Sequence, residues 1–301
     1  MKHLFFKSKM ECINLVPRLI KKGLVGYMTA LGLLVLSHES QADVKVLHTY
    51  GISLGQEVDN LIPVNASKLL PLLPAGYEIV PASSFGIGRE DQGIVVIVNF
   101  RGLDPTVDAR KPSKNNRVAI DVTILVKEPS EAVEAGVDIP GAFHFYTLAM
   151  YSDDAPYAGS LLEADMPIKF NNKISYQREM NDLTGEGQLI VNVPLKDSPF
   201  KSITSSLGYA PVDGALNAIF WHDGKRGKAA LHFHVPAFHQ GGATALFFMQ
   251  PGSMWESLFN VNSGDLELCD PDPETGYSCV IVPSLNFRFD EGDVGRLLLI
   301  D

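Results

Sequence analysis

The 301-residue chain reads as a mainly β protein: a single large antiparallel β-barrel or cone-like sheet system with two or three short helices. Three observations predict it. Apolar runs rich in β-branched and aromatic residues recur along the chain, Gly, Pro and Asn punctuate them, and helix-length apolar periodicity is scarce. The 26 Gly and 19 Pro exceed what a helical bundle carries, yet fall short of a disordered composition.

The first 42 residues stand apart. Lys2, Lys7, Lys9, Arg18, Lys21 and Lys22 precede an uncharged run from Gly23 to Ser37, and Ser40-Gln41-Ala42 supplies a small-x-small site. This is the layout of a secretory signal. An uncleaved anchor is the alternative, but the apolar run falls short of the roughly 20 residues of a comfortable span. Translation could also start at Met10 or Met28. Residues 1–42 are therefore expected to be a signal peptide and 43–301 a single β-rich domain, periplasmic or secreted. Cleavage would leave 19 basic against 33 acidic side chains, a net charge of −14. That balance argues against a nucleic-acid surface and repels anionic membranes. No later stretch approaches ~20 consecutive apolar residues, so no stable membrane span is expected after cleavage.

Elements follow in order. Residues 66–73 favour two helical turns before Pro74, and residues 93–100 (GIVVIVNF) form a continuously apolar strand of the kind covered on both faces. Residues 118–126 (VAIDVTILV) are similar; the acidic stretch 128–139 reads as a solvated loop between strands. A strand over 143–151 precedes a helix over 157–164, which Asp153 or Asp154 would cap and Met166-Pro167 would stop. Further strands are expected at 188–193, 218–221, 229–235, 244–249, 280–282 and 297–300, with a third helix at 253–259. Cys12 leaves with the signal, and Cys269 and Cys279 bracket the turn-forming loop DPDPETGYS. In an oxidising compartment they are expected to form a disulfide. The acidic residues there, with Asp265, raise a calcium loop as the alternative, although the Asp-x-Asp-x-Asp-Gly spacing is missing.

The segment 155–177 (APYAGSLLEADMPIKFNNKISYQ) carries the sharpest chemistry. On an extended strand Lys169 faces away from Ile168 and Phe170. Pointed into a closed cavity, its ammonium would be desolvated and its pKa lowered, which makes an amine nucleophilic. Lys173 would add a second positive charge and Glu163 an acidic partner, while Phe143, Phe145, Met166 and Phe170 are the candidate ligand-facing side chains. The alternative is two lysines on a solvated strand, paired with Glu163 or Asp165.

This segment resembles the acetoacetate decarboxylase superfamily, in which a Glu-bearing helix runs into a Gly-aromatic-Pro-Lys-Lys strand. Residues 73–80 (LPAGYEIV), leading into strand 93–100, and residues 143–151 (FHFYTLAMY) resemble the family's opening and pre-catalytic segments. The resemblance implies a closed, cone-like barrel around a deep apolar cavity. A cavity lysine there forms a Schiff base with a β-keto acid, and the iminium accepts the electrons released as carbon dioxide leaves. This chain departs from the pattern. Ile168 stands where the nucleophilic lysine would be, Lys169 matches only the second lysine, Asp165-Met166 replaces Gly-aromatic, and Glu163 lies one residue nearer the proline. A one-residue shift turns a strand side chain to the other face. The expectation is a pocket for a small keto acid or other small organic ligand without the usual nucleophile. A decarboxylase-like carbon–carbon lyase working through Lys169 is the enzymatic alternative.

A second constellation is histidine-rich. His222, His232, His234 and His239 lie within 18 residues, and period two places His232 and His234 on one strand face. No cofactor is expected on the lyase-like reading. A divalent metal such as zinc, held by His232, His234 and His239, is the alternative; the bland reading puts both histidines on the wetter face of a sheet. A structural protein with a filled barrel is the third reading.

Overall fold

The computed structural model describes residues 43–110, 114–196, 198–259 and 265–300. The signal segment expected over 1–42, with Cys12, lies outside them.

The chain begins with β1 (Val44–Asn65), α1 (Ala66–Leu69), β2 (Gln92–Leu103), β3 (Thr106–Val107) and β4 (Asn116–Val126). Next come α2 (Glu131–Glu134), β5 (Phe143–Ser152), α3 (Ala155–Leu162), β6 (Ile168–Phe170), β7 (Ser175–Met180), β8 (Glu186–Val193) and β9 (Phe200–Leu207). It ends with β10 (Ala210–Val212), β11 (Leu216–Gly224), β12 (Gly227–Val235), β13 (Phe238–Met249), α4 (Met254–Phe259), β14 (Glu267–Cys269) and β15 (Ser278–Ile300). Seven strands close into a barrel in the order β1-β2-β4-β5-β11-β12-β15, with β15 returning to pair with β1. Every step round this ring is antiparallel except β5–β11, where Ala218 faces Phe143 in a parallel pair.

Two long strands hold the architecture together. β1 and β15 pair antiparallel from Val44↔Ile300 to Asn60↔Ser284. The C-terminal part of β15 pairs with β12 inside the barrel wall, and its N-terminal part pairs with β13. The sheet β15-β13-β9-β8-β7 thereby leaves the barrel, and its apolar side chains join the outer face of β1, β2 and β4 in one core. Val95, Ile97 and Ile120 meet Leu189, Val191 and Phe247 there. Ile94, Val96 and Val98 form a separate cluster on the inner side of β2. Burial on both faces explains why residues 93–100 carry no polar alternation.

Three sequence expectations change. The runs at 280–282 and 297–300 are two ends of one strand, because the Asp290-Glu291-Gly292-Asp293 stretch between them is paired to β1 rather than turning. The stretch 128–139 contains α2 and buries Ala132 and Val137, so it docks onto the barrel exterior instead of standing in solvent. Asp154 occupies the N-cap position of α3 but makes no side-chain cap bond, its carboxylate being drawn to Arg117. There are four short α-helices among the described residues, α2 being the one that sequence patterning passed over.

Candidate functional site

The inner faces of the barrel strands enclose a cavity of about 180 Å³. That exceeds the roughly 150 Å³ apolar cavity known to admit benzene. Small residues keep the space clear: Ala119, Ala218, Gly51 and Gly295 all border it. A Cβ on Gly295 would come within 2.6 Å of the Phe233 ring, so glycine is what lets that ring occupy the wall. Aromatic rings run inward from the partly exposed Phe85 through Phe143, Phe145, Phe220 and Phe233, with successive centroids 6.4, 6.4, 5.0 and 5.9 Å apart. Phe238, Phe287 and Phe289 form a second series at 6.2 and 6.1 Å. With Phe100, nine phenylalanines line the cavity. Of the expected ligand-facing residues, Phe143 and Phe145 are in this lining; Met166 is buried in the shell behind it, and Phe170 is exposed away from it.

Three carboxyl groups interrupt the apolar wall. Glu57 and Asp59 alternate onto the inner face of β1, and Asp121 does so on β4. The register Asp59↔Val98↔Asp121 sets the two aspartates on strands either side of Val98. Asp59 is 9% and Asp121 4% exposed, and one oxygen of each has no hydrogen-bond partner among the described residues. Burial pushes Asp121 up to about 7. Burial, and then the charge of Asp121, push Asp59 up to about 8, against a hydrogen bond from Glu57 that works the other way. Glu57 is held well above the usual carboxylate range by burial and by both aspartates. Desolvation disfavours each anion and the three charges disfavour one another, so around neutral pH the group retains much of its protons.

Among the described residues one cation faces the same space, and it is already engaged. The Arg117 Nε donates to Asp154 Oδ2 at 2.8 Å, with both side chains almost fully buried. Its guanidinium lies 4.1 Å from the Tyr157 ring centroid and 5.9 Å from that of Tyr50. The hydroxyls of Tyr50 and Ser160 share a hydrogen bond at 3.0 Å. A buried ion pair stacked on aromatic faces is a fixed wall element rather than a free anion receptor.

The lysines lie elsewhere. β6 runs parallel to β5 outside the barrel ring; Ile168 is its buried residue, and Lys169 and Phe170 are exposed. Lys173 is exposed in the following turn. Glu163 is exposed at the end of α3, where its Oε2 lies 3.1 Å from His48 Nε2. Lys169 is therefore not the inward-looking amine the sequence suggested, and no lysine lines the cavity among the described residues. The histidines do not gather either. His232 and His234 both meet the Asn217 side-chain oxygen, at 3.2 and 2.9 Å, and an Arg296 nitrogen lies 3.2 Å from His232 Nδ1. Burial and then that guanidinium push His232 down to about 4. His239 sits on β13 against the Tyr209 ring, and no group of three or more metal-ligating side chains occurs among the described residues. A positive charge beside His232 is the physical reason against a cation there.

Cys269 and Cys279 face each other across β14 and β15 with Cα atoms 5.1 Å apart and are disulfide-bonded. The acids of their loop serve the turn: Asp272 accepts from the backbone of Glu274 and Thr275 and from Lys201, and Asp265 pairs with Arg89.

No protein-family model matches the sequence, and no curated protein matches it. Among solved structures the chain is similar to the enduracididine biosynthesis enzyme MppR complexed with the condensation product of pyruvate and imidazole 4-carboxaldehyde, at 14% identity and a TM-score of 0.45, over 91% of this chain and 97% of that one. It is similar to acetoacetate decarboxylase from Legionella pneumophila subsp. pneumophila str. Philadelphia 1 (12% identity, TM-score 0.41, 88% and 92% covered). An acetoacetate decarboxylase-like enzyme from Sphingomonas wittichii RW1 is also similar (12% identity, TM-score 0.43, 89% and 98% covered). These identities are too low to assign any residue a role.

Proposed function

We propose that the mature chain is an exported barrel protein that binds one small organic molecule non-covalently inside the barrel. The observation that carries this reading is the lining, which among the described residues has nine phenylalanines, three carboxyl groups, one committed arginine and no lysine around about 180 Å³. An apolar body would gain affinity from burial at about 25 cal/mol per Å², and the few polar groups would fix its orientation. Schiff-base chemistry needs an amine at the reacting carbon, which this lining does not supply. Export is supported by the signal-like 1–42 segment and by the bonded Cys269–Cys279 pair.

Thermal unfolding with increasing benzyl alcohol tests the binding. The melting temperature should rise with ligand concentration, and Ala119→Phe, which fills the cavity from β4, should abolish the rise. Ala218→Phe, from β11, serves where the first variant does not fold. No rise in the parent protein, or an equal rise in a folded filled variant, would defeat the proposal.

A further inference from the structure

We infer that the molecule this barrel takes is an organic cation, a primary or secondary amine on an apolar body, whose N–H groups are donated to Asp59, Asp121 and Glu57; the inference rests on the cavity being a binding site. Buried polar atoms are nearly always paired, and those that are not ask for a missing partner. Asp59 Oδ1 and Asp121 Oδ1 are buried acceptors without a donor among the described residues, in side chains that line the cavity. Asp121 is the one acid of β4, and among the described residues its Oδ1 has no hydrogen-bond partner. What such atoms lack is an N–H or O–H.

Charge then selects among donors. Three carboxyls near enough to act on one another line the space, and the one guanidinium facing it among the described residues is held by Asp154 and by the Tyr157 ring. A carboxylate ligand would meet acidic groups and an arginine already neutralised. A neutral alcohol would satisfy one acceptor and leave the others. An ammonium brings two or three donors and the charge that allows the carboxyls to ionise. The rest of the lining agrees, since phenylalanine rings present electron-rich faces that attract a cation and also bury a hydrocarbon body. The requirement for donors separates primary and secondary amines from quaternary ammonium ions.

Calorimetric titration at about pH 8 with benzylamine, benzyl alcohol and benzoate, three ligands of similar shape, decides it. The amine is expected to bind at least about tenfold more tightly than the alcohol, with benzoate weakest. Asp121→Asn and Glu57→Gln should each shrink the preference for amine over alcohol to within about threefold. Equal affinities for amine and alcohol, both lost in Ala119→Phe, would overturn the cation and leave the binding cavity standing. An amine preference that survives both carboxyl substitutions would also overturn it. Failure of all three ligands to bind would remove the cavity reading itself.

Discussion

Asp121→Asn should make the ligand-free protein more stable at alkaline pH. Asp121 is 4% exposed, and burial raises its pKa to about 7, whereas an aspartate in an unfolded chain titrates near 4. Between those values the folded state holds a proton that the unfolded state has released, so stability falls as pH rises from about 4 to about 7 and then levels off. At about 1.4 kcal/mol per pH unit, this gap costs about 4 kcal/mol by pH 8. Asparagine keeps the shape and cannot ionise. Urea unfolding at pH steps from 4.5 to 8.5 should show the variant and parent close together at the acid end. The variant should then pull ahead by up to about 4 kcal/mol at the alkaline end. Curves that stay parallel across the range would refute the reasoning, because they would mean that Asp121 titrates alike in both states.

Arg117→Met should cost about 3–5 kcal/mol, since it removes one partner of a buried ion pair; adding Asp154→Leu should recover most of that loss in denaturant melts. Amine affinity should strengthen as pH rises from about 5 to about 8, by up to about tenfold per pH unit for each proton released. The groups facing that charge are Glu57, Asp59 and Asp121, with Arg117 and Tyr157 beside them. Titration in two buffers of different ionisation heat should therefore detect proton release on binding, and a pH-independent affinity would contradict the carboxyl origin of the preference. Borohydride treatment with acetoacetate, followed by peptide mass mapping, should give no adduct on Lys169 or Lys173. An adduct there would bring an exposed amine into chemistry that the fold places away from the cavity.

Much of the barrel is legible in the sequence, and the part that is not belongs to the site. β2, β4, β5, β11 and β12 announce themselves because burial on one or both faces leaves apolar runs. α1, α3 and α4 fall where apolar patches meet Pro or acidic residues. β1 escapes because Gln56-Glu57-Val58-Asp59-Asn60 has no apolar alternation: the inward positions carry acids, while Asn60 faces the outer sheet and bonds Thr204 and Ser284. Its partner β15 lies at the other end of the chain, so no local pattern records their pairing. Asp121 did leave a signal, the lone charge in the run 118–126, whose other residues are apolar save Thr123. Alternation set Lys169 apart from Ile168 and Phe170; in the structure Ile168 is buried, while Lys169 and Phe170 are both exposed. Which face of β6 is wet depends on the strand lying outside β5, and that is a property of the whole barrel.

Xenon pressurisation of crystals gives the most direct test of the central claim, that the barrel holds an accessible apolar chamber. Xenon is expected in the space bounded by Val96, Ala119, Phe145 and Phe220, and lost from it in Ala119→Phe. Density only at the protein surface, with side chains filling the barrel axis, would contradict the account.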